Sequence, residues 1–235
     1  MKEKPETEFL KRIDLFSSLS DDELRDISTR MTIKKFKKNQ TILYEEDTNK
    51  YMYVIFDGEV KAVQTTADGK EIILAMHGTG DFFGEISLLD GKTIPARVVA
   101  MKDSIIAIIS KRDFYFLLGY NKVAIKMSQI LCSRLRESWS KVQMLNFNNA
   151  SQRVKMLLIM LSDKYGSKSD GGTILNIKLT HQDIAEMSGM TRETVTRVID
   201  KLQKGGEIEV LSNRFIRLTP DFCREFKHYP WNSHE

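Results

Sequence analysis

The residues with the clearest chemistry in this 235-residue sequence lie in one short segment, RETVTR at positions 192–197. An arginine guanidinium can bond O6 and N7 of guanine together, whereas a glutamate carboxylate can accept from the N4 amino group of cytosine. On a helix, Arg192, Glu193 and Arg197 would share a polar face near the N-terminus. This grouping predicts a surface that reads the major-groove edges of G·C base pairs.

The residues around this segment predict two short helices joined by a sharp turn. Thr180 begins the first helix and Thr191 the second, because a threonine side chain at the N-cap accepts a backbone N–H of the first turn. Gly189 lies between them and supplies the positive φ that lets the chain change direction. Apolar residues from Val195 to Leu202 form the opposite face of the second helix. The pattern is typical of a helix-turn-helix whose second helix enters the major groove.

The start of the first helix predicts contacts to the DNA backbone. Polar side chains and free N–H groups at positions 180–182 can meet a phosphate and fix the register, while the second helix reads the bases. The simpler alternative is a solvated helix face, and the complete two-helix pattern favours DNA over it. The predicted DNA-binding residues are Thr180, His181, Gln182, Thr191, Arg192, Glu193, Thr196 and Arg197.

Two short alternating strands follow the second helix and predict a wing. Apolar residues alternate within residues 208–210 and 215–218, on either side of a polar Ser212-Asn213-Arg214 turn. Upstream, residues 174–179 are typical of a third strand. We therefore predict a winged helix-turn-helix domain over residues 147–235, with double-stranded DNA as its partner.

The N-terminal part of the sequence predicts a β-roll over residues 1–110. Short β-rich runs are separated by turn signals such as Asp57-Gly58 and Asp68-Gly69. Between two of these runs, residues 81–91 read DFFGEISLLDG. A glycine that opens a short helix lets backbone N–H groups approach an anion, so Gly84 predicts a phosphate cradle. The same segment would also suit simple packing of the roll.

A long helix over residues 111–146 is predicted between the two domains. Ser110 gives a start signal, and few helix-breaking residues follow. Apolar residues spaced by three or four positions suit the pairing of two helices, which predicts a homodimer with two recognition helices one DNA turn apart. The alternative is packing of this helix against the roll. The predicted dimer interface comprises Met127, Leu131, Leu135, Ser138, Val142 and Leu145.

In this order, the elements resemble the cAMP receptor protein and fumarate–nitrate regulator superfamily of bacterial transcription regulators. The resemblance covers nearly the entire chain, and its most specific motifs are FGEISLL at residues 83–89 and HQDIAEMSGMTRETVTR at residues 181–197. It implies an α+β fold with an N-terminal cyclic-nucleotide-binding-like β-roll, a long dimerisation helix and a C-terminal winged helix-turn-helix. It also implies a TGTGA-like half-site, with Arg192 and Arg197 on guanines and Glu193 facing cytosine, and RNA polymerase as a partner.

The resemblance also implies where a small effector would bind and shows a departure there. Relatives that bind cyclic nucleotides neutralise the phosphate with an arginine, and alignment on Ala96 and Val98 places Ile94 at that position. An isoleucine cannot make this contact, which argues against standard cAMP binding. Glu85 remains where it would hold a ribose hydroxyl. The effector is therefore unidentified.

Further residues complete the predicted pocket. Arg97 follows three positions after Ile94 and would replace the missing arginine if the loop is altered. Ser138 and Trp139 stand where the family has paired hydroxyl residues for the purine. The predicted effector pocket comprises Phe83, Gly84, Glu85, Ile86, Ser87, Ile94, Arg97, Ser138 and Trp139.

Other cofactors would each need particular protein ligands. An iron–sulfur cluster is not expected, because Cys132 and Cys223 form no CxxC pair and no cysteine precedes Cys132. Haem would need an axial ligand such as His77, although a lone histidine at a strand end is more often a surface residue. No metal-ligand spacing and no nucleophile–base pair is visible, so an enzyme is not expected.

The net charge and the apolar runs of the whole sequence limit the possible partners and location of the protein. The net charge of +4 is compatible with nucleic acid but does not identify it. No apolar run reaches the length of a membrane span and no signal peptide begins the chain, so a cytoplasmic protein without a membrane partner is expected. Two alternatives stay open: a small-molecule binding module with no DNA role, and a regulator that needs no effector.

Overall fold

The computed structural model of the protein describes residues 7–44, 50–93, 96–211 and 215–225. Of residues 223–225 it describes the backbone alone. The chain forms two compact units, Met1–Cys132 and Ser133–Glu235. The boundary falls inside the longest helix described. The predicted Ser212-Asn213-Arg214 turn, Ile94 and the side chain of Cys223 lie outside the described part of the chain.

Eight described strands form the roll of the first unit: β1 (Met31–Phe36), β2 (Thr41–Leu43), β3 (Tyr51–Asp57), β4 (Glu59–Thr65), β5 (Glu71–Gly78), β6 (Phe82–Phe83), β7 (Arg97–Ala100) and β8 (Ser104–Ser110). They make two four-stranded antiparallel sheets, in the orders β1-β8-β3-β6 and β2-β7-β4-β5. The roll predicted from the β-rich runs is confirmed, and two strands outside those runs, β1 and β6, complete the first sheet.

The first sheet is buried on both faces. Because side chains alternate across a strand, Met52 and Val54 of β3 pack with the surrounding helices, whereas Tyr53 and Ile55 pack toward the second sheet. This explains why β3 is apolar almost throughout instead of alternating. The helices of this unit are α1 (Thr7–Lys11), α2 (Asp21–Thr29), α3 (Glu85–Asp90) and α4 (Lys111–Leu118), with a 3₁₀ turn at Asp14–Phe16.

The helix predicted over residues 111–146 is wrong in one respect, because the structure divides it into α4 and α5 (Asn121–Leu145). Gly119 ends α4 with its N–H on the carbonyl of Phe116, and Tyr120 follows. The Tyr120 hydroxyl donates to the carboxylate of Asp26 at 3.0 Å. Because Asp26 belongs to α2, this bond connects the segment between α4 and α5 to that helix. The sequence carried only the glycine as a signal for this break.

The predicted interface along α5 also needs a correction. Met127 is 2% exposed and Leu131 partly buried, and both pack with the core of the first unit. Their side chains are therefore committed within their own chain. The exposed positions that recur along the helix form what we call the α5 stripe: Ile125, Cys132, Leu135, Trp139 and Val142. Ser138 and Leu145 are also exposed, beside this stripe.

The elements of the second unit after α5 are α6 (Ala150–Tyr165), β9 (Gly166–Ser169), β10 (Gly172–Leu175), α7 (His181–Ser188), α8 (Arg192–Lys204), β11 (Ile208–Val210), β12 (Ile216–Leu218) and α9 (Pro220–Glu225). Helices α6, α7 and α8 pack together, beside a four-stranded antiparallel sheet of order β11-β12-β10-β9. The predicted winged helix-turn-helix is confirmed, with an additional polar strand, β9, at the sheet edge.

Candidate nucleic-acid interface and effector site

The first helix of the motif, α7, begins with a capping box. The Thr180 hydroxyl accepts the N–H of Asp183 at 3.0 Å, and the Asp183 carboxylate accepts the N–H of Thr180 at 3.0 Å. Asp183 is buried, so its carboxylate fixes the start of the helix. The orientation of α7 is therefore set by a local sequence motif.

The turn after α7 depends on a glycine. Gly189 adopts φ +65°, and its N–H donates to the carbonyl of Ala185. The left-handed conformation reverses the chain direction at little cost for a residue without Cβ. Thr191 then caps α8 by accepting the N–H of Thr194 at 3.3 Å. The two helices are thus placed as the sequence predicted.

Helix α8 separates an apolar face from a charged one. Val195, Ile199 and Leu202 are fully or almost fully buried. Opposite this buried row, Arg192, Glu193 and Arg197 are exposed, and we call these three residues the reading face. The buried row holds the helix against its unit while the reading face stays accessible.

The reading face combines two guanidinium groups with one carboxylate. The Arg197 guanidinium lies 3.4 Å from the Thr194 hydroxyl, and in the described ranges Arg192 makes no side-chain hydrogen bond or ion pair. Its own backbone N–H, then the Thr191 hydroxyl and the nearby Arg192 and Arg197, hold the pKa of Glu193 below its usual range. Glu193 is therefore an ionised acceptor at neutral pH, flanked by two donor guanidinium groups.

All three residues predicted to contact phosphates have partners inside the protein, and Thr180 has its partner in the capping box with Asp183. Gln182 donates its side-chain amide to the carboxylate of Glu186 at 3.0 Å. The Nδ1 atom of His181 lies 2.8 Å from the hydroxyl of Thr196 on α8. The hydroxyl of Thr196 also donates to the carbonyl of Arg192 at 2.9 Å. The structure thus brings His181 and Thr196 together, a contact that the sequence did not predict.

Arg153 of α6 is a further residue that the sequence reasoning missed. Its guanidinium donates to the carbonyls of Phe147 at 2.7 Å, Leu145 at 3.3 Å and Ser188 at 3.4 Å. These carbonyls belong to the end of α5, the segment after it and the end of α7. One cation therefore satisfies backbone acceptors at two helix ends. Nothing in the surrounding QRVK sequence could have indicated this role.

In the first unit, Gly84 occupies a position that only glycine fits. It adopts φ +87°, and a Cβ there would lie 2.7 Å from the carbonyl oxygen of Tyr51. Glu85 follows at the start of α3 and is 1% exposed, and Ser87 is buried as well. Phe83 is buried and stacks on Tyr53 with ring centroids 4.8 Å apart, whereas Ile86 is exposed.

The other predicted pocket residues lie on β7, on α5 and outside the described part of the chain. Arg97 of β7 forms an ion pair with Glu71 of β5, so its charge is balanced within the roll. Ile94 lies outside the described residues. Ser138 and Trp139 are exposed residues on the part of α5 that belongs to the second unit.

His77 corrects an expectation about histidines. It lies on β5 and is 8% exposed, with its ring 6.1 Å from that of Phe83 and its Nδ1 atom 4.0 Å from the Asp81 carboxylate. The view of His77 as a surface residue is therefore wrong, because its side chain is buried beside Phe83. Across the described residues, no group of three or more histidine, cysteine, aspartate or glutamate side chains could hold a metal ion. In the same ranges no helix has the length and apolarity needed to span a membrane.

Comparisons with known proteins match both units. The cyclic nucleotide-binding domain family matches residues 33–121, and the Crp-like helix-turn-helix domain family matches residues 152–220. The Cyclic AMP receptor protein of Thermus thermophilus is 29% identical over 83% of this chain and 88% of its own. The cAMP-activated global transcriptional regulator CRP of Pasteurella multocida is 31% identical over 73% of this chain and 82% of its own.

A solved structure shows the same fold. A CooA mutant from Carboxydothermus hydrogenoformans aligns with a TM-score of 0.76 at 22% identity, over 95% of this chain and 97% of the other. At that identity the likeness concerns the arrangement of the backbone. The order of roll, long helix and winged domain is therefore shared with this structure.

Proposed function

This chain belongs to the cAMP receptor protein and fumarate–nitrate regulator (Crp/Fnr) superfamily of transcription regulators, and we propose from that premise that it is a homodimeric, sequence-specific DNA-binding regulator controlled by a small effector. Members of the superfamily among its relatives are transcription regulators, as the names of those relatives state. The roll would sense the effector and the winged domain would bind DNA. Binding of the effector would shift the balance between conformations of the protein. This shift would change how well the recognition helices fit a DNA site.

The reading face carries the proposal for DNA. Arg192 and Arg197 present guanidinium groups on the same exposed side of α8, and Glu193 lies beside them as an ionised acceptor. This set suits a half-site like TGTGA, with the arginines on guanines and the glutamate facing a cytosine of the opposite strand. The N-terminus of α7 would position the domain on the phosphates.

The α5 stripe supports dimerisation. Ile125, Cys132 and Trp139 recur every seven residues, and Leu135 and Val142 follow the same period. This is the spacing of helices that pair along one seam. A two-fold axis along that seam would place two recognition helices on successive major grooves, so the site would be a palindrome. A dimer on promoter DNA would then have RNA polymerase as its partner.

The ion pair in the roll supports an effector other than a standard cyclic nucleotide. Arg97 is balanced by Glu71, so its charge is already compensated before any phosphate arrives. Glu85, which relatives of this type would use for a ribose hydroxyl, is buried. Effector identity is best determined by calorimetric titration with cAMP, with haem and with a panel of small metabolites.

The experiment that tests the DNA proposal is a fluorescence anisotropy titration of the purified protein on a TGTGA–TCACA palindrome. A duplex of the same composition in scrambled order serves as the control. We expect tighter binding to the palindrome, and affinity for both duplexes that falls steeply with salt. Equal affinity for the two sequences would show that the reading face does not read bases.

A further inference from the structure

Two hydrogen bonds meet at the hydroxyl of Thr196, one within α8 and one to α7. Its Oγ1 atom lies 2.9 Å from the carbonyl oxygen of Arg192, one turn earlier, and 2.8 Å from Nδ1 of His181. Both distances are within the range of normal hydrogen bonds. The hydroxyl therefore has partners inside the protein on two sides.

The protons of this small network can be assigned by counting donors. A carbonyl oxygen can only accept, so the single hydroxyl proton of Thr196 goes to Arg192. The contact to His181 then needs a donor on the ring, which makes the Nδ1–H form of the imidazole the one that fits. The Thr196 hydroxyl donates one bond and accepts the other, so its only proton is used inside the protein and an acceptor on a base edge would have to compete for it.

We propose that His181 is a positioning residue of the recognition helix, which ties up the Thr196 hydroxyl so that Thr196 meets DNA through its methyl group and selects a thymine. A threonine methyl can pack on the C5-methyl of thymine, which is unique to that base in the major groove. This inference rests on the proposed DNA-binding function and adds a base preference that the charged residues of the reading face do not provide.

The location of the pair supports this role. Thr196 lies directly before Arg197 in α8 and is half-buried, between the buried row and the reading face. His181 is the first residue of α7, the end of that helix proposed to approach a phosphate. The pair thus connects the helix that positions the domain to the helix that reads bases, and a rotation of the Thr196 side chain would break both of its hydrogen bonds.

The methyl contact is tested by comparing thymine with deoxyuridine in the half-site, since these bases differ only in the C5-methyl group. Wild-type protein should bind the thymine duplex about fourfold more tightly per contacted methyl. Thr196→Ser keeps the hydroxyl and removes the methyl, so its ratio should fall to about one. A ratio in Thr196→Ser equal to that of wild type would overturn the inference.

The positioning role is tested with two variants of the histidine. His181→Ala removes the donor and should lower the preference for thymine over deoxyuridine. His181→Asn offers a side-chain N–H close to the Nδ1 position and should restore it. An unchanged preference in His181→Ala would overturn the role of His181, and circular dichroism melting curves would confirm that each variant is folded.

Nitrogen-15 NMR of the wild-type ring gives a readout that does not depend on DNA. We expect the neutral ring of His181 to carry its proton on Nδ1, and a proton on Nε2 would contradict the assigned network. Wild-type protein that selects the palindrome but shows no preference for thymine over deoxyuridine would overturn this inference alone. Absence of selectivity on every duplex would overturn the proposed function, and with it the reading role of Thr196.

Discussion

Arg97 and Glu71 form an ion pair that spans the strand between them, because β4 separates β7 from β5 in the second sheet of the roll. Both side chains are about one-third exposed, so water partly screens the interaction. The pair nevertheless balances the charge of Arg97. This arginine follows three positions after Ile94, the residue that stands where relatives that bind cyclic nucleotides have their phosphate-binding arginine. It gives a physical reason to expect weak binding of cyclic phosphates.

Releasing Arg97 should raise the affinity of the roll for phosphate-bearing ligands. We expect Glu71→Gln to bind cAMP about fivefold more tightly than wild type, corresponding to roughly 1 kcal/mol for a partly exposed ion pair. Glu59→Gln, which removes the carboxylate paired with Lys102 instead, is the matched control. Isothermal titration calorimetry measures both. Tight cAMP binding by wild type, unchanged in Glu71→Gln, would show that Arg97 does not limit the ligand.

Removing one guanidinium of the reading face should reduce specificity more than general affinity. Arg192→Ala is expected to lose about 1–3 kcal/mol of discrimination against a duplex with the contacted guanine replaced. Arg25→Ala, which removes an exposed arginine on α2, should leave this discrimination unchanged. Competition titrations with single-base variants of the half-site measure the difference. Equal losses on all duplexes would indicate a phosphate contact instead.

The cytosine contact of Glu193 should be insensitive to mild acidification. The pKa of this carboxyl lies below its usual range, so it stays ionised until the pH falls below that range. Discrimination at the cytosine position should therefore be constant between about pH 8 and pH 6 and should be absent in Glu193→Ala, which has no side-chain acceptor. Anisotropy titrations across this interval provide the test. A decline of discrimination within it would mean that another group controls the contact.

Gly84 and Gly80 form a matched pair for testing the bend before α3. Both have a φ near +90°, but an added Cβ at Gly84 meets the Tyr51 carbonyl at 2.7 Å, whereas at Gly80 nothing lies within 4 Å. Gly80→Ala should cost only the strain of the left-handed conformation, about 1–2 kcal/mol. Gly84→Ala should lower the melting temperature clearly further in differential scanning calorimetry. Equal shifts would show that the carbonyl moves aside freely.

A charge on the α5 stripe should separate the dimer. Val142 is 60% exposed within the single chain, so Val142→Glu should not disturb folding of the monomer. Buried between two paired helices, the same carboxylate would be strongly unfavourable. Ser133→Glu, at an exposed position beside the stripe, is the control. Analytical ultracentrifugation should show a monomer for the first variant and a dimer for the second, and a dimer for both would exclude the stripe as the interface.

The regular parts of the fold could be predicted because their patterns are local. The β-rich runs and the turn residues between them predicted the roll. The caps at Thr180 and Thr191, together with Gly189, predicted the helix-turn-helix. The strand β9, with the sequence GSKS, has no apolar residue to show that it pairs with β10. Its existence depends on backbone hydrogen bonds, which any residue except proline can make.

The details that could not be predicted depend on residues far apart in the sequence. Met127 fits the period of a helix seam, but only the position of the roll core shows that it is buried there. The same holds for His77 under Phe83, and for Arg153, whose three carbonyl partners become neighbours only after folding. The contact between His181 and Thr196 needs the angle between two helices, which no single-helix pattern contains.

The double burial of the first sheet has a mechanical consequence. Adjacent residues of β3 belong to different apolar clusters, so peeling this strand away would expose the inside of the roll and the helix-packed layer in the same step. Opening either layer in part therefore costs the free energy of exposing both apolar clusters to water. The first unit should melt in a single sharp transition, with no half-open species accumulating on the way.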